Sequence, residues 1–145
     1  MQCLQLALRW PHHRHMTSEL VSRRYSQRWR AILADLVFWS LAGAIVAAFS
    51  GPFGEWWHVP RSVLLAGGLT FLVGGLGLLF GLNRLRPTPR RLVWGFGMFN
   101  LIFAPIVWVT AMYGWLPLSA PGNWALASAG VIALVLGGWQ LDTLR

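Results

Sequence analysis

Four apolar stretches, each near the length that crosses a bilayer, dominate this sequence: residues 31–49, 63–81, 92–112 and about 124–141. A helix rises ~1.5 Å per residue, so about 20 residues cross a hydrocarbon core of about 30 Å. Only helices and closed barrels satisfy every backbone N–H and C=O in lipid. The stretches run apolar without strict alternation, which selects helices over barrel strands. Charged residues are only 11% of the chain, against about 25% in a soluble domain, so the surface of a water-soluble fold is missing. The expected fold is all-α, an integral membrane four-helix transmembrane bundle. Its fourth helix is the shortest and is expected to tilt little.

Charge gives the bundle an orientation. All twelve basic residues are arginine. Arg9, Arg14, Arg23, Arg24, Arg28 and Arg30 precede the first stretch, Arg84, Arg86, Arg90 and Arg91 separate the second from the third, and Arg145 ends the chain. The other two connections contain only Arg61. The positive-inside bias therefore predicts both termini in the cytoplasm (N-in/C-in) and a cytoplasmic, inner-membrane location. This topology accounts for the net charge of +8, and no nucleic-acid partner is expected. Trp29, Trp94 and Trp139 fall near the cytoplasmic interface and Trp56, Trp57, Trp115 and Trp124 near the outer one, where an amphipathic indole prefers the headgroup level. Trp39 and Trp108 lie deeper and are expected to pack.

The chain divides into a basic cytoplasmic segment, residues 1–30, and a four-helix transmembrane domain, residues 31–145. Residues 1–15 lack the long apolar core and small-residue cleavage site of a signal peptide. Met16, Thr17, Ser18 and Glu19 read as an alternative start, so residues 1–15 are expected to lie upstream of it. His12, His13 and His15 share that segment and are not taken as a metal site. Cys3 is the single cysteine, which excludes an intramolecular disulfide or a thiolate cluster.

In lipid the hydrophobic drive between helices is small, and close approach through small residues takes over. Helix four offers Ala125, Ala129, Ala133 and Gly137 along one face. Helix two offers Gly67, Gly74 and Gly81 at heptad spacing with the Gly77/Gly81 pair, and helix one offers Gly43/Ala47 and Ala44/Ala48. These faces suit bundle closure, self-association or docking to a larger membrane protein. A shift of 61 residues superimposes Arg30 on Arg91, Phe38 on Phe99, Pro60 on Pro121 and Gly77 on Gly138, the pattern of two related helical hairpins. Pro105 in helix three cannot donate to Leu101 and predicts a kink.

Asp35 is the one acid within a predicted span. An intramembrane carboxylate is costly and calls for a partner. At about one turn past Arg30 it can reach toward the headgroups and pair with Arg28, Arg30 or an arginine of the 84–91 connection. With Asn100 and Gln140 it forms a candidate polar cluster, either bundle glue or a proton or cation pathway. Ser40, Thr70, Thr110 and Ser128 are expected to bond to their own helices. Glu55 and His58, beside Trp56 and Trp57, are a candidate outer-loop site, but two ligands rarely hold a metal. No nucleophile–base arrangement, paired catalytic carboxylates, phosphate-cradling loop or Cys/His metal spacing is present. Neither catalysis nor a cofactor is expected.

The basic stretch at 84–91 (RLRPTPRR), Asn100, the outer connection YGWLPLSAPGNW at 113–124 and the ending QLDTLR at 140–145 resemble small bacterial four-helix membrane proteins to which no activity is assigned. The likeness covers roughly the last eighty residues and implies architecture only; the long basic N-terminal segment departs from it. Small multidrug exporters also combine four short helices with an acid in helix one, but theirs is a Glu set deeper than Asp35, and the match ends there. The expected role is that of a non-enzymatic accessory or scaffold subunit, with a small oligomeric transporter or ion pathway using Asp35 as the alternative and lipid or quinone binding between helices, which leaves no motif, as a third class.

Overall fold

The computed structural model describes the backbone of residues 11–84 and 88–145, and the side chains of 25–84 and 88–145. All its regular elements there are helical: α1 Pro11–Ala48, α2 Ser50–Trp57, α3 Arg61–Asn83, α4 Arg90–Tyr113 and α5 Ala120–Asp142. Four segments are long and apolar enough to cross a membrane: Tyr25–Ala48, Arg61–Asn83, Arg90–Tyr113 and Ala120–Asp142. The all-α four-span architecture expected from the sequence is thus present.

Two boundaries differ from expectation. α1 starts at Pro11 rather than near residue 31, because nothing between them breaks a helix: the intervening sequence has no glycine and no internal proline. α5 has 23 residues, the same as α3, so the fourth span shares the shortest length with the second rather than standing alone. Its extra turn comes from its cap. Ser119 accepts the Gly122 N–H at 3.4 Å and Pro121 occupies the first turn, where a missing N–H costs nothing.

Other termini follow equally local rules. α3 and α4 each begin directly after a proline, Pro60 and Pro89. α4 ends where Gly114 enters the left-handed region (φ 62°) and donates to Thr110 O, the position at which glycine avoids a Cβ clash. α4 runs through Pro105 as a single helix, with that residue on its exposed side. The first outer connection is itself helical as α2. It closes at His58 (φ 57°), whose N–H bonds to Gly54 O, and the Phe53 and Trp57 rings stack at 4.5 Å.

The chain packs as two antiparallel hairpins, α1 with α3 and α4 with α5. Gly43 meets Gly68 in the first, where a Cβ on Gly68 would sit 2.6 Å from Gly43 O and 2.7 Å from Ala47 N. Gly75 faces Ser40 two turns on. Gly97 meets Gly137 in the second hairpin, and Gly130 lies against Trp108 and Ala104. The Gly43/Ala47 face and the Ala133/Gly137 end of the helix-four face therefore do pack. The Gly67, Gly74 and Gly81 face does not: a Cβ on any of them, or on Gly77, meets nothing within 4 Å. The buried seam of α3 is Gly68, Gly75 and Leu82, one residue further along. The 61-residue offset carries the Gly43/Gly68 contact to within one residue of the Ala104/Gly130 contact, so the staggers of the two hairpins differ by one residue.

The hairpins join each other at both ends. At the arginine-rich end an apolar core gathers Ile32 and Leu36 of α1, Leu82 of α3, Val93 of α4 and Leu144 past α5. At the opposite end Ser119 N donates to Trp57 O at 3.1 Å, and its hydroxyl donates to Trp56 O. Between these junctions α3 comes close to neither α4 nor α5 among the described residues, which leaves a lateral gap.

Candidate functional site

Asp35, Asn100 and Gln140 come from α1, α4 and α5 and meet in one buried cluster. Their relative exposures are 3%, 2% and 0%, so water does not solvate any of them. Asn100 Nδ2 donates to Asp35 Oδ2 at 3.0 Å and to Gln140 Oε1 at 3.3 Å. Gln140 Nε2 donates to the same Asp35 Oδ2 at 2.8 Å. Residues 65 and 105 positions away in the chain thus converge on one oxygen.

The backbone makes this meeting possible. Gly137 lies one turn before Gln140 and packs against Gly97 O and Asn100 Cβ, where a Cβ of its own would sit 2.9 and 3.0 Å away. That close approach brings the two amides within reach of each other. On α1, Ile32 and Leu36 flank Asp35 in the apolar core. Buried polar groups are hydrogen-bonded as a rule. Asp35 Oδ1 departs from it, being buried with no hydrogen-bond partner among the described residues.

The arginine pairing expected for Asp35 is not what its Oδ2 receives. Arg28 turns to the end of α5, where its Nε–H donates to Thr143 O at 3.4 Å. Arg30 is exposed. Asp35 lies two turns, ~10 Å, along α1 from Arg28, and its packed neighbours hold it inward. An arginine brought to that depth would carry a second desolvation cost, whereas an amide carries none of that charge.

Glu55 and His58 are both exposed at the other end of the bundle. Glu55 lies on α2 and His58 is its C-cap. No group of three or more His, Cys, Asp or Glu side chains able to hold a metal occurs among the described residues. His12, His13 and His15 fall on the first turns of α1, but their side chains lie outside the described residues, as does Cys3. Thr70, Thr110 and Ser128 each bond to the carbonyl four residues back at 2.8 Å, as expected. The deep indoles differ in role. Trp108 Nε1 donates to Ala127 O at 3.0 Å within the second hairpin, whereas Trp39 contacts Phe71 of one hairpin and Phe103 of the other.

The gap between the hairpins holds an apolar crevice of about 470 Å³, whose place and lining no motif in the sequence marks. Trp39 and Phe71 lie toward its floor, Gly67, Ala125 and Ala129 on its walls, and Trp57 at its roof. Small residues on two helices were the available signal, but they read equally well as packing faces.

The chain matches no protein-family model, no curated protein and no solved structure.

Proposed function

We propose that this chain is a non-enzymatic accessory or scaffold subunit of a cytoplasmic membrane, with both termini on the cytoplasmic side. The observation that carries this reading is the uncovered face of α3. Only 11% of its apolar window is buried within the chain, against 33% for the first span. That face presents Gly74, Gly77 and Gly81 with nothing packed on them, and exposed glycine lets another helix approach closely. The intramembrane polar groups are spent on holding the two hairpins together, an arrangement that suits a structural subunit. Purification in mild detergent at native expression tests this. A stoichiometric larger membrane protein in the purified particle, lost on Gly77→Leu, is the expected result. A monodisperse chain without any other polypeptide would refute it.

One observation favours a second reading, an ion or proton pathway through the Asp35 cluster. A buried carboxylate oxygen that accepts no hydrogen bond is a place where a proton or small cation gains a partner. Reconstituted liposomes with a proton or cation gradient test it. Flux abolished by Asp35→Asn supports the pathway, and flux equal in both proteins, or absent, removes it.

A further inference from the structure

We propose that the crevice between α3 and α5 binds one acyl chain of a bilayer phospholipid, with the lipid phosphate at Arg61 and the start of α3. The site lies at the Gly67 end of the α3 face whose Gly74, Gly77 and Gly81 carry the accessory-subunit reading, and its test reads bound lipid rather than a bound polypeptide, so either can fail without the other.

The dimensions select the occupant. On α5 the lining runs from Gly122 to Ile132, a rise of ~15 Å. One leaflet of a hydrocarbon core about 30 Å thick has that same depth. A volume of about 470 Å³ over that height leaves a cross-section of ~30 Å². Carbon atoms pack at about 3.5–4.0 Å, so one extended chain needs roughly 20 Å². One extended chain therefore fits within that section.

The lining agrees. It is made of apolar and aromatic side chains, with Ser128 the only hydroxyl, and that hydroxyl is already bonded to Trp124 O. Water gains no partners there. An empty gap would forfeit dispersion contacts along both walls, while acyl chains stand beside its mouth. The backbone bracket between Ser119 and Trp57 closes the roof, and the contacts of Trp39 with Phe71 and Phe103 close the floor. The chain must therefore enter sideways, between α3 and α5.

Charge at the mouth places the head group. Arg61 is the one arginine or lysine at that end among the described residues, and it opens α3, whose Val63 and Leu64 line the crevice. Val63 N and Leu64 N donate to Pro60 O and no described side chain caps α3, so the N–H groups of Arg61 and Ser62 and the positive end of the dipole face a phosphate. Glu55, the acid at the same end, is exposed on α2.

Gly67 allows a clean test. A Cβ there meets nothing within 4 Å and Gly67 lines the crevice, whereas Gly77 is equally open but outside it. The full chain is purified in mild detergent, washed extensively, and its phospholipid quantified per polypeptide by mass spectrometry. About one phospholipid is expected in the wild type and in Gly77→Phe, falling at least five-fold in Gly67→Phe. Arg61→Gln is expected to speed exchange of the bound lipid for a labelled phosphatidylglycerol at least three-fold. Ala129→Leu fills the opposite wall and repeats the test if Gly67→Phe does not yield folded protein. The proposal is overturned if the wild type retains no lipid, if the crevice-filling variant retains as much as wild type, or if a polypeptide rather than lipid is displaced. Unchanged exchange in Arg61→Gln overturns the placement of the phosphate.

Discussion

Alanine at Gly67 and at Gly68 differ by one position in sequence and should differ in sign of effect. On Gly68 the new Cβ would lie 2.6 Å from Gly43 O and 2.7 Å from Ala47 N. Both neighbours are backbone, so no rotamer change relieves the contact, and ordinary contact begins at 3.4 Å. α1 and α3 must separate by ~0.8 Å, and overpacking of that kind costs about 1–3 kcal/mol. Alanine returns up to about 1 kcal/mol of helix preference over glycine. At Gly67 only that return applies, because the added methyl meets nothing. The preference is common to both variants, so their difference is the overpacking cost alone, roughly 5- to 150-fold in the unfolding equilibrium. Unfolding in mixed micelles of mild detergent and dodecyl sulfate, followed by far-ultraviolet circular dichroism, measures it. Gly67→Ala should unfold at or above the wild-type midpoint and Gly68→Ala clearly below it. Equal midpoints, or the reverse order, would refute the packing of the first hairpin.

Three further outcomes can be checked in the same system. Gln140→Leu removes one of two donors to Asp35 Oδ2 and should destabilise the bundle by about 1–3 kcal/mol. Combined with Asp35→Leu it should fall short of additivity by at least ~0.5 kcal/mol, and full additivity would mean that the two groups do not interact. Trp108→Phe keeps an aromatic ring but loses the 3.0 Å bond to Ala127 O and the indole edge packed on Gly130, a loss of at least about 0.5–1.5 kcal/mol read from the same unfolding curves. Single cysteines test the orientation proposed from the arginines. Pro117→Cys, on the exposed outer connection, should react with an impermeant maleimide in intact cells, and Asn83→Cys only after the membrane is opened.

The number, type and approximate length of the spans were legible in the sequence, because each follows from a local rule. Chain length in lipid dictates a helix of about 20 residues. Pro60, Pro89, Gly114 and Ser119 mark helix ends by their own backbone chemistry. Asp35, Asn100 and Gln140 stood out for a similar reason, as polar groups in a medium that charges for them. Which faces meet was not legible. In water, burial separates apolar from polar faces, but here large apolar side chains such as Leu69, Phe71, Val73 and Leu76 of α3 are exposed. Adjacent residues on a helix point ~100° apart, so nothing short of the packed hairpin distinguishes the Gly68 seam from the Gly67 face. The choice of amides over arginines for Asp35 likewise depended on how far Gly97 and Gly137 let α4 and α5 approach. The crevice is a property of the gap left where α3 stands apart from α4 and α5, and no single segment of sequence contains it.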